Sequence, residues 1–143
     1  MMGCDIHLFA EIKVNGVWHC HTVLDVRRNY ELFNKMAGVR GDGLGVIAAP
    51  KGLPDDLSVV TQLYVEHWNE DGHTHSWLNA EEIYLLEEWM EEFGHTFRQF
   101  AGLPWTPDNL GYLFGSSYGA WHTYPNDRPD GIEDIRFVFW FDN

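Results

Sequence analysis

The stretch that decides the fold is Cys4–Val14, whose sequence is CDIHLFAEIKV. Apolar residues occupy every second position of this stretch, and a period of two is typical of a β-strand with one apolar face. Asn15 and Gly16 follow, and this dipeptide favours a two-residue type I′ turn because both turn positions need a positive φ. The stretch Trp18–Leu24 is therefore predicted to return as the second strand of a hairpin.

A further strand is predicted near the end of the chain, over Ile135–Phe141. β-branched and aromatic residues dominate this run, and its nearly continuous apolar character is typical of a central strand that is covered on both faces. We therefore expect an antiparallel sheet that contains the N-terminal hairpin and this C-terminal strand.

A short helix and a long loop are predicted after the hairpin. Asn29 is a suitable N-cap for the helix, Tyr30 and Phe33 lie on its apolar face, and Gly38 is a suitable end. The following residues, Val39–Pro54, are rich in glycine and proline. This composition predicts a long ordered loop.

Two more helices are predicted in the middle of the chain. One extends from Ser58, or from the leucine before it, to about Trp68, and a polar turn over Asn69–His75 follows. The other is predicted over Ala80–Phe93, where Asn79 as N-cap and a glutamate three residues later form a capping box. This helix carries six glutamates, and we expect them to form a solvated face.

Length and composition favour a single α+β domain over residues 1–143, in which the sheet packs with about three helices and long ordered loops. The chain has 143 residues, of which 45% are apolar, so it can bury a core and is not generally disordered. The stretch Leu103–Pro129 is rich in Trp and Tyr and lacks clear periodicity. It predicts a loop that is functional or is held in place by its aromatic side chains.

The composition also limits the partners and the compartment. No apolar run approaches the roughly 18 residues that a membrane span needs, and no basic segment precedes an apolar one, so we expect neither a membrane partner nor a secretory signal. Cys4 and Cys20 lack the spacing of a metal motif, which favours free thiols in the reducing cytoplasm. The formal net charge of −13 argues against a long nucleic acid, since phosphate binding needs a basic surface.

Eight histidines raise the question of a metal site. Asp5 and His7 lie two apart on the first strand and share a face, and His19 and His21 do the same on the second strand. With a two-residue turn the register places Ala10 opposite His21, so the two pairs lie on opposite faces of the hairpin. All four side chains can then hold one ion only if a β-bulge shifts the register.

Two interpretations of Asp5 and His7 remain open, and the same register places Leu24 beside them. They could be ligands of a divalent metal that His73 or His75 completes, because carboxylate and neutral imidazole suit several such ions. They could instead form a hydrogen-bonded pair in which the carboxylate orients the imidazole, as part of the structure or of a ligand site. No other cofactor is expected, and no nucleophile motif follows a predicted strand.

Arginines and aromatic residues form another group. Arg27 and Arg28 precede the first predicted helix, whose N-terminus favours an anion, and Arg40 lies in the glycine-rich loop. The segment 105–124 adds Trp and Tyr rings. Because aromatic stacking and bidentate arginine contacts often hold nucleotide-like ligands, this group is compatible with a small anionic ligand in an otherwise acidic protein.

Six short motifs together carry a resemblance. They are MGCDIH over Met2–His7, RNY over Arg28–Tyr30 with Leu32 and Phe33, AGVRG over Ala37–Gly41, GLPDD over Gly52–Asp56, DGHTHSWL over Asp71–Leu78, and FWFDN over Phe139–Asn143. In this order they resemble a family of small uncharacterised proteins found mostly in bacteriophages and prophages. Met1 precedes the family pattern, and Thr74 stands where that pattern has serine. The resemblance implies a phage product that acts in the cytoplasm of an infected bacterial host cell.

Positions that match these motifs are the candidate ligand-binding residues: Asp5, His7, Arg28, Asn29, Tyr30, Arg40, Ser76 and Trp77. The leading hypothesis is a phage-type binding protein, either monomeric or homo-oligomeric, that sequesters a nucleotide-derived signal of bacterial immunity. One alternative is a metal-dependent hydrolase that uses Asp5, His7, His73 and His75. Another is an acidic inhibitor that binds a host protein through the helix face over Glu81–Glu92.

Overall fold

The computed structural model of the chain describes residues 3–24, 26–92 and 131–143. Four strands in these ranges form one antiparallel sheet in the order β2-β1-β4-β3. The bounds are Asp5–Val14 for β1, Val17–Leu24 for β2, Gly72–Asn79 for β3 and Asp134–Asp142 for β4. Three helices pack on this sheet, so the predicted α+β class is confirmed. The predicted loop over Leu103–Pro129 lies outside the described residues.

The hairpin has the predicted turn but contains a β-bulge. Val14 lies opposite Val17 as expected, whereas Ala10 lies opposite Thr22 and not opposite His21. The register shifts between Ala10 and Glu11, so that Ala10 lies opposite Thr22 while Glu11 lies opposite Cys20, as expected where a bulge adds one residue to a strand. The predicted pairing of Ala10 with His21 is therefore wrong.

The bulge also decides which residues of β2 face the core. Beyond it Leu24 lies opposite Leu8, and both are buried in the main apolar cluster. The prediction that Leu24 lies beside Asp5 and His7 is wrong, because a shift of one residue moves a strand's side chains to the other face.

One face of the sheet is apolar and is covered by two helices. Every second residue of β1 and of β4, including Leu8 and Phe139, belongs to this apolar cluster. Helix α1, Tyr30–Ala37, packs Phe33 against Phe141 with ring centroids 5.2 Å apart. Helix α3, Ala80–Glu92, contributes the buried residues Ile83, Leu86 and Met90.

The other face is mixed in polarity and is covered by helix α2, Val59–Trp68. Tyr64 packs on Phe9 with ring centroids 5.1 Å apart, and Trp68 packs on His7 at 4.1 Å. Strand β4 lies between β1 and β3 and its residues Ile135–Phe141 are buried, which confirms the predicted central strand with both faces packed. This face carries polar residues of β1, among them Asp5, His7 and Glu11.

The predicted starts of α1 and α3 and the predicted end of α1 are confirmed, and each is marked by a capping residue. The Asn29 side chain accepts a hydrogen bond from Leu32 N at 3.2 Å, and the chain after α1 turns at Gly38 with φ 72°. Asn79 and Glu82 form the predicted reciprocal capping box, with distances of 2.8 and 2.9 Å. Phe93, the predicted last residue of α3, lies outside the described residues.

Two predictions for the middle of the chain are wrong. The polar turn predicted over Asn69–His75 ends at Asp71, and strand β3 begins at Gly72. The strand forms because β4 supplies its hydrogen-bond partners, which the local sequence does not indicate. The glutamates of α3 are not all solvated, since Glu87 is only 8% exposed. Glu87 lies on the side of the helix that faces the protein, whereas Glu88 and Glu92 are exposed to solvent.

Both cysteines are free thiols, as predicted. Cys4 is buried and Cys20 is half-buried, and burial raises the pKa of each thiol. In the part of the chain that the structure describes, no helix is both long enough and apolar enough to cross a membrane.

Candidate functional site

The first residue of β1, the last residue of β4 and the first residue of β3 lie side by side at one end of the strands. We call this end of the sheet the Asp5 end. There Asp5 of β1 lies opposite Asp142 of β4, and Asp142 lies opposite Gly72 of β3. Five of the six motifs that carry the resemblance have residues at this end: Asp5 and His7, Arg28 and Tyr30, Arg40, His73, and Asp142 and Asn143. Residues far apart in sequence are therefore brought together here by the pairing of β1, β3 and β4.

Asp5 and Arg28 form a two-pronged ion pair at this end. The Nε and Nη2 atoms of Arg28 donate to the two carboxylate oxygens of Asp5, each at 3.0 Å. The hydrogen bond from Arg28 holds the pKa of Asp5 below its usual range. A Cβ atom at Gly3 would lie 1.9 Å from Nη1 of Arg28 and would clash with it. The absence of a side chain at Gly3 therefore allows the guanidinium to lie against the backbone.

His7 is paired with Asp142, a residue that the sequence analysis did not select. Nε2 of His7 lies 2.5 Å from Oδ2 of Asp142. The proposed pair of Asp5 with His7 is therefore wrong, because each of the two residues has a closer partner on another segment. Asp142 lies in the FWFDN motif, and its alternation with Trp140 along β4 was the only signal in the sequence that could have placed it on this face.

Aromatic rings surround the His7 imidazole. Trp68 of α2 lies at 4.1 Å from it and Trp140 of β4 at 5.8 Å, measured between ring centroids. His75 of β3 stacks on the other side of Trp140 at 5.8 Å. A Cβ atom at Gly72 would lie 3.0 Å from Cδ1 of Trp140, so glycine allows β3 this close to the indole. Burial lowers the pKa of His75, which favours its neutral form.

Arg40 and Tyr30 lie together beside the chain end. The Arg40 guanidinium lies over the Tyr30 ring, 5.4 Å from its centroid, and its Nη2 is 3.5 Å from Oδ1 of Asn143. The Tyr30 hydroxyl accepts a hydrogen bond from Cys4 N at 3.2 Å. This arrangement offers a cation and a tyrosine that is 37% exposed on the same surface.

His73 completes the group on the side of β3. Its Nε2 lies 3.1 Å from Oδ1 of Asn143, and its Nδ1 lies 2.9 Å from Oγ1 of Thr74. Thr74 has φ 54° and Arg40 has φ 59°, both in the left-handed region that β-branched and bulky residues avoid. Strained backbone of this kind often accompanies functional sites, because the surrounding structure must hold it in place.

Three of the predicted ligand-binding residues have structural contacts elsewhere. Asn29 caps α1. Ser76 is buried, and its hydroxyl accepts a hydrogen bond from Lys51 N at 3.0 Å. Trp77 lies beneath the ammonium group of Lys51, 4.0 Å from the ring centroid. The contacts of Ser76 and Trp77 with Lys51 hold the loop before α2 against β3.

The four proposed metal ligands lie at the same end but are engaged separately. Asp5 is bound by Arg28 and His7 by Asp142, while His73 contacts Asn143. The register places His73 opposite Phe141, on the apolar face, whereas Asp5 and His7 lie on the other face. Within residues 3–24, 26–92 and 131–143, no group of three or more His, Cys, Asp or Glu side chains is arranged to hold a metal ion.

A buried ion pair further along the mixed face attaches α2 to the sheet. Glu11 is fully buried, and its Oε1 accepts from Nε of Arg136 at 2.8 Å. Its Oε2 accepts from Ser58 N at 3.1 Å and from the Thr61 hydroxyl at 2.6 Å. Arg136 also binds the Asp56 carboxylate at 2.7 Å. By fixing the N-terminus of α2, this network sets where Trp68 meets His7.

Comparisons of the chain with protein-family models, curated proteins and solved structures gave no match. The chemistry of the Asp5 end therefore carries the functional proposal.

Proposed function

We propose that the protein binds a small anionic, nucleotide-like ligand at the Asp5 end of the sheet. One observation carries this proposal: the guanidinium groups of Arg28 and Arg40 both lie at that end, although the chain has a formal net charge of −13. A local group of cations in an acidic protein attracts a compact anion, whereas the charge of the rest of the surface repels a long polyanion.

The aromatic residues of the same end support the nucleotide-like character of the ligand. Tyr30 is partly exposed, and its ring lies against the Arg40 guanidinium. Stacking on an aromatic ring stabilises a bound nucleobase by about 1–3 kcal/mol, and arginine adds a charged contact to phosphate. A ligand with a base and a phosphate matches this pair of groups.

In this proposal the protein acts by sequestration in the cytoplasm of an infected bacterial cell. A protein that binds a nucleotide-derived immune signal lowers its free concentration without further chemistry. Neither a membrane nor a long nucleic acid is needed, and the mechanism is the same for a monomer and for a homo-oligomer. The phage setting comes from the resemblance of the motifs, whereas the anionic ligand comes from the charges of the site.

Isothermal titration calorimetry against cyclic oligonucleotides and ADP-ribose derivatives tests the proposal. We expect one class to bind, and we expect Arg40→Ala to weaken its affinity about 10- to 100-fold, because a hydrogen bond to a charged group contributes about 1.5–3 kcal/mol. Arg27→Ala is the matched control, since Arg27 is exposed and carries the same charge. Absence of binding across the panel, or an unchanged affinity of Arg40→Ala, contradicts the proposal.

A further inference from the structure

The His7–Asp142 pair has the arrangement of a general base and the carboxylate that orients it. The Asp142 carboxylate can only accept a hydrogen bond from Nε2 of His7, at 2.5 Å. In the neutral imidazole the proton then lies on Nε2, and the lone pair lies on Nδ1 at the other side of the ring. A histidine held in this way accepts a proton from a bound water or hydroxyl group.

The surroundings of His7 hold the imidazole in place but leave it accessible. Trp68 and Trp140 pack around the ring and limit its rotation. The His7 side chain is nevertheless 21% exposed and that of Asp142 is 19% exposed. A fixed orientation together with access for water is what proton transfer to a bound substrate requires.

One of the charged groups close to the pair, the Arg28 guanidinium, is a cation that an anionic substrate would contact. Asp5 interacts electrostatically with His7 and is itself neutralised by Arg28, which therefore places a cation next to the pair. The titratable and charged groups near His7 come from five parts of the chain: Asp5 on β1, Arg28 before α1, His67 next to Trp68 on α2, His75 on β3 and Asp142 on β4.

We propose that His7 is the general base of a phosphate-ester hydrolysis at the Asp5 end, with Asp142 as its positioning residue. This proposal rests on the binding part of the proposed function, because the substrate is the nucleotide-like anion that the same end binds, and it replaces sequestration by hydrolysis as the way in which the free ligand is removed. Nδ1 of His7 removes a proton from water as the water oxygen bonds to phosphorus. The ester P–O bond breaks on the opposite side of the phosphorus, where the leaving oxygen takes a proton from solvent water, and the imidazolium returns its proton to the solvent, so that one water molecule is consumed for each ester bond.

The test measures turnover and binding separately on the full chain. Wild-type protein is incubated in EDTA with bis(p-nitrophenyl) phosphate and with cyclic dinucleotides, and products are followed by absorbance and by chromatography. We expect hydrolysis at a rate that falls at acid pH, because a protonated imidazole cannot accept a proton. His7→Gln is expected to lower kcat about 10²- to 10⁴-fold while KM changes little.

Two further variants separate catalysis from folding. Imidazole added to His7→Gly is expected to restore part of the rate, which a purely structural role would not allow. Asp142→Asn is expected to lower kcat and to alter the pH profile, with the fold checked by circular dichroism. His19→Gln is the matched control, because His19 is exposed and lies opposite Ile12, near the other end of the hairpin.

The outcomes distinguish this proposal from the proposed function. A wild-type protein that binds a cyclic dinucleotide but releases no product overturns the role of His7 and leaves the binding function in place. The same conclusion follows if His7→Gln retains the wild-type kcat, or if activity vanishes in EDTA and returns with a divalent metal. Absence of both binding and hydrolysis overturns both proposals.

Discussion

At the scale of single residues, the conformation of Thr74 is the clearest sign that the Asp5 end is under strain. Its φ of 54° lies in the left-handed region, which is costly for a β-branched residue. The strained residue places its hydroxyl 2.9 Å from Nδ1 of His73. The contact that positions the His73 ring therefore depends on a backbone conformation that is unfavourable for threonine.

Thr74→Gly is expected to separate stability from ligand binding. Glycine adopts a positive φ without strain, but its flexibility in the unfolded chain offsets part of the gain, so the free energy of unfolding should change by about 1 kcal/mol or less. Affinity for the nucleotide-like ligand should fall, because His73 loses its contact with the hydroxyl. Urea denaturation and calorimetry measure the two effects.

Asn69→Gly is the matched control for this substitution. Asn69 also has a positive φ, of 41°, but it lies at the end of α2 and not beside His73. It should alter stability slightly and leave binding unchanged. If Thr74→Gly binds the ligand as tightly as wild type, the Thr74 hydroxyl does not position His73 for binding.

At the scale of elements, the attachment of α2 depends on polar contacts more than on apolar ones. Thr61 is its one buried residue, whereas Val59, Leu63 and other apolar side chains of the helix are exposed. The contacts of Glu11 with Ser58 and Thr61, and the pairing of Glu11 with Arg136, hold the first turn. A buried ion pair of this kind is costly to break, because one charge is left without a partner.

Arg136→Ala is therefore expected to lower the free energy of unfolding by about 3–5 kcal/mol, a large part of the stability of a domain of this size. The double variant Glu11→Leu with Arg136→Leu should lose less than the sum of the two single variants, because it leaves no unpaired buried charge. Urea denaturation of the set measures this coupling.

Arg27→Ala serves as the control for loss of an arginine at an exposed position, where substitutions usually change stability by less than about 0.5 kcal/mol. Additive effects of the Glu11 and Arg136 substitutions would show that the pair does not act as a unit. In that case α2 would owe its position to Tyr64 and Trp68 instead.

At the scale of the whole molecule, acid sensitivity follows from two carboxylates that arginines hold ionised. Hydrogen bonds from Arg28 and Arg136 lower the pKa of Asp5 and of Asp56, respectively. The unfolded chain, with an ordinary Asp pKa of about 3.9, then binds protons at a pH where the folded chain does not. The stability from these pairs is fully present above that pH and is lost as the pH falls through the lower folded values.

We expect the free energy of unfolding to fall on acidification from about pH 4 downward. The double variant Asp5→Asn with Asp56→Asn should show a shallower fall over this range, because both coupled carboxylates are gone. Asp55→Asn, an exposed neighbour of Asp56, is the control for the loss of a carboxylate. Equal pH dependence of the double variant and wild type would contradict the assignment.

Several elements could be predicted from the sequence because their signals are local. The alternation over Cys4–Val14, the Asn15-Gly16 turn and the caps at Asn29 and Asn79 each act within a few residues. Those interactions predict the hairpin and the starts of α1 and α3, and with the apolar run at Ile135–Phe141 they predict the α+β class.

Strand β3 and the partner of His7 required the tertiary structure. The polar run Gly72–Asn79 becomes a strand because β4, more than 50 residues later in sequence, pairs with it. His7 binds Asp142, 135 residues away, and not its near neighbour Asp5, which Arg28 occupies. The sequence by itself therefore determined β1, β2, β4 and the three helices, because periodicity and capping are short-range, and it also selected Asp5, His7, Arg28, Tyr30 and Arg40. Only the tertiary structure decided which of these residues are partners, because strand pairing and the β-bulge set those distances.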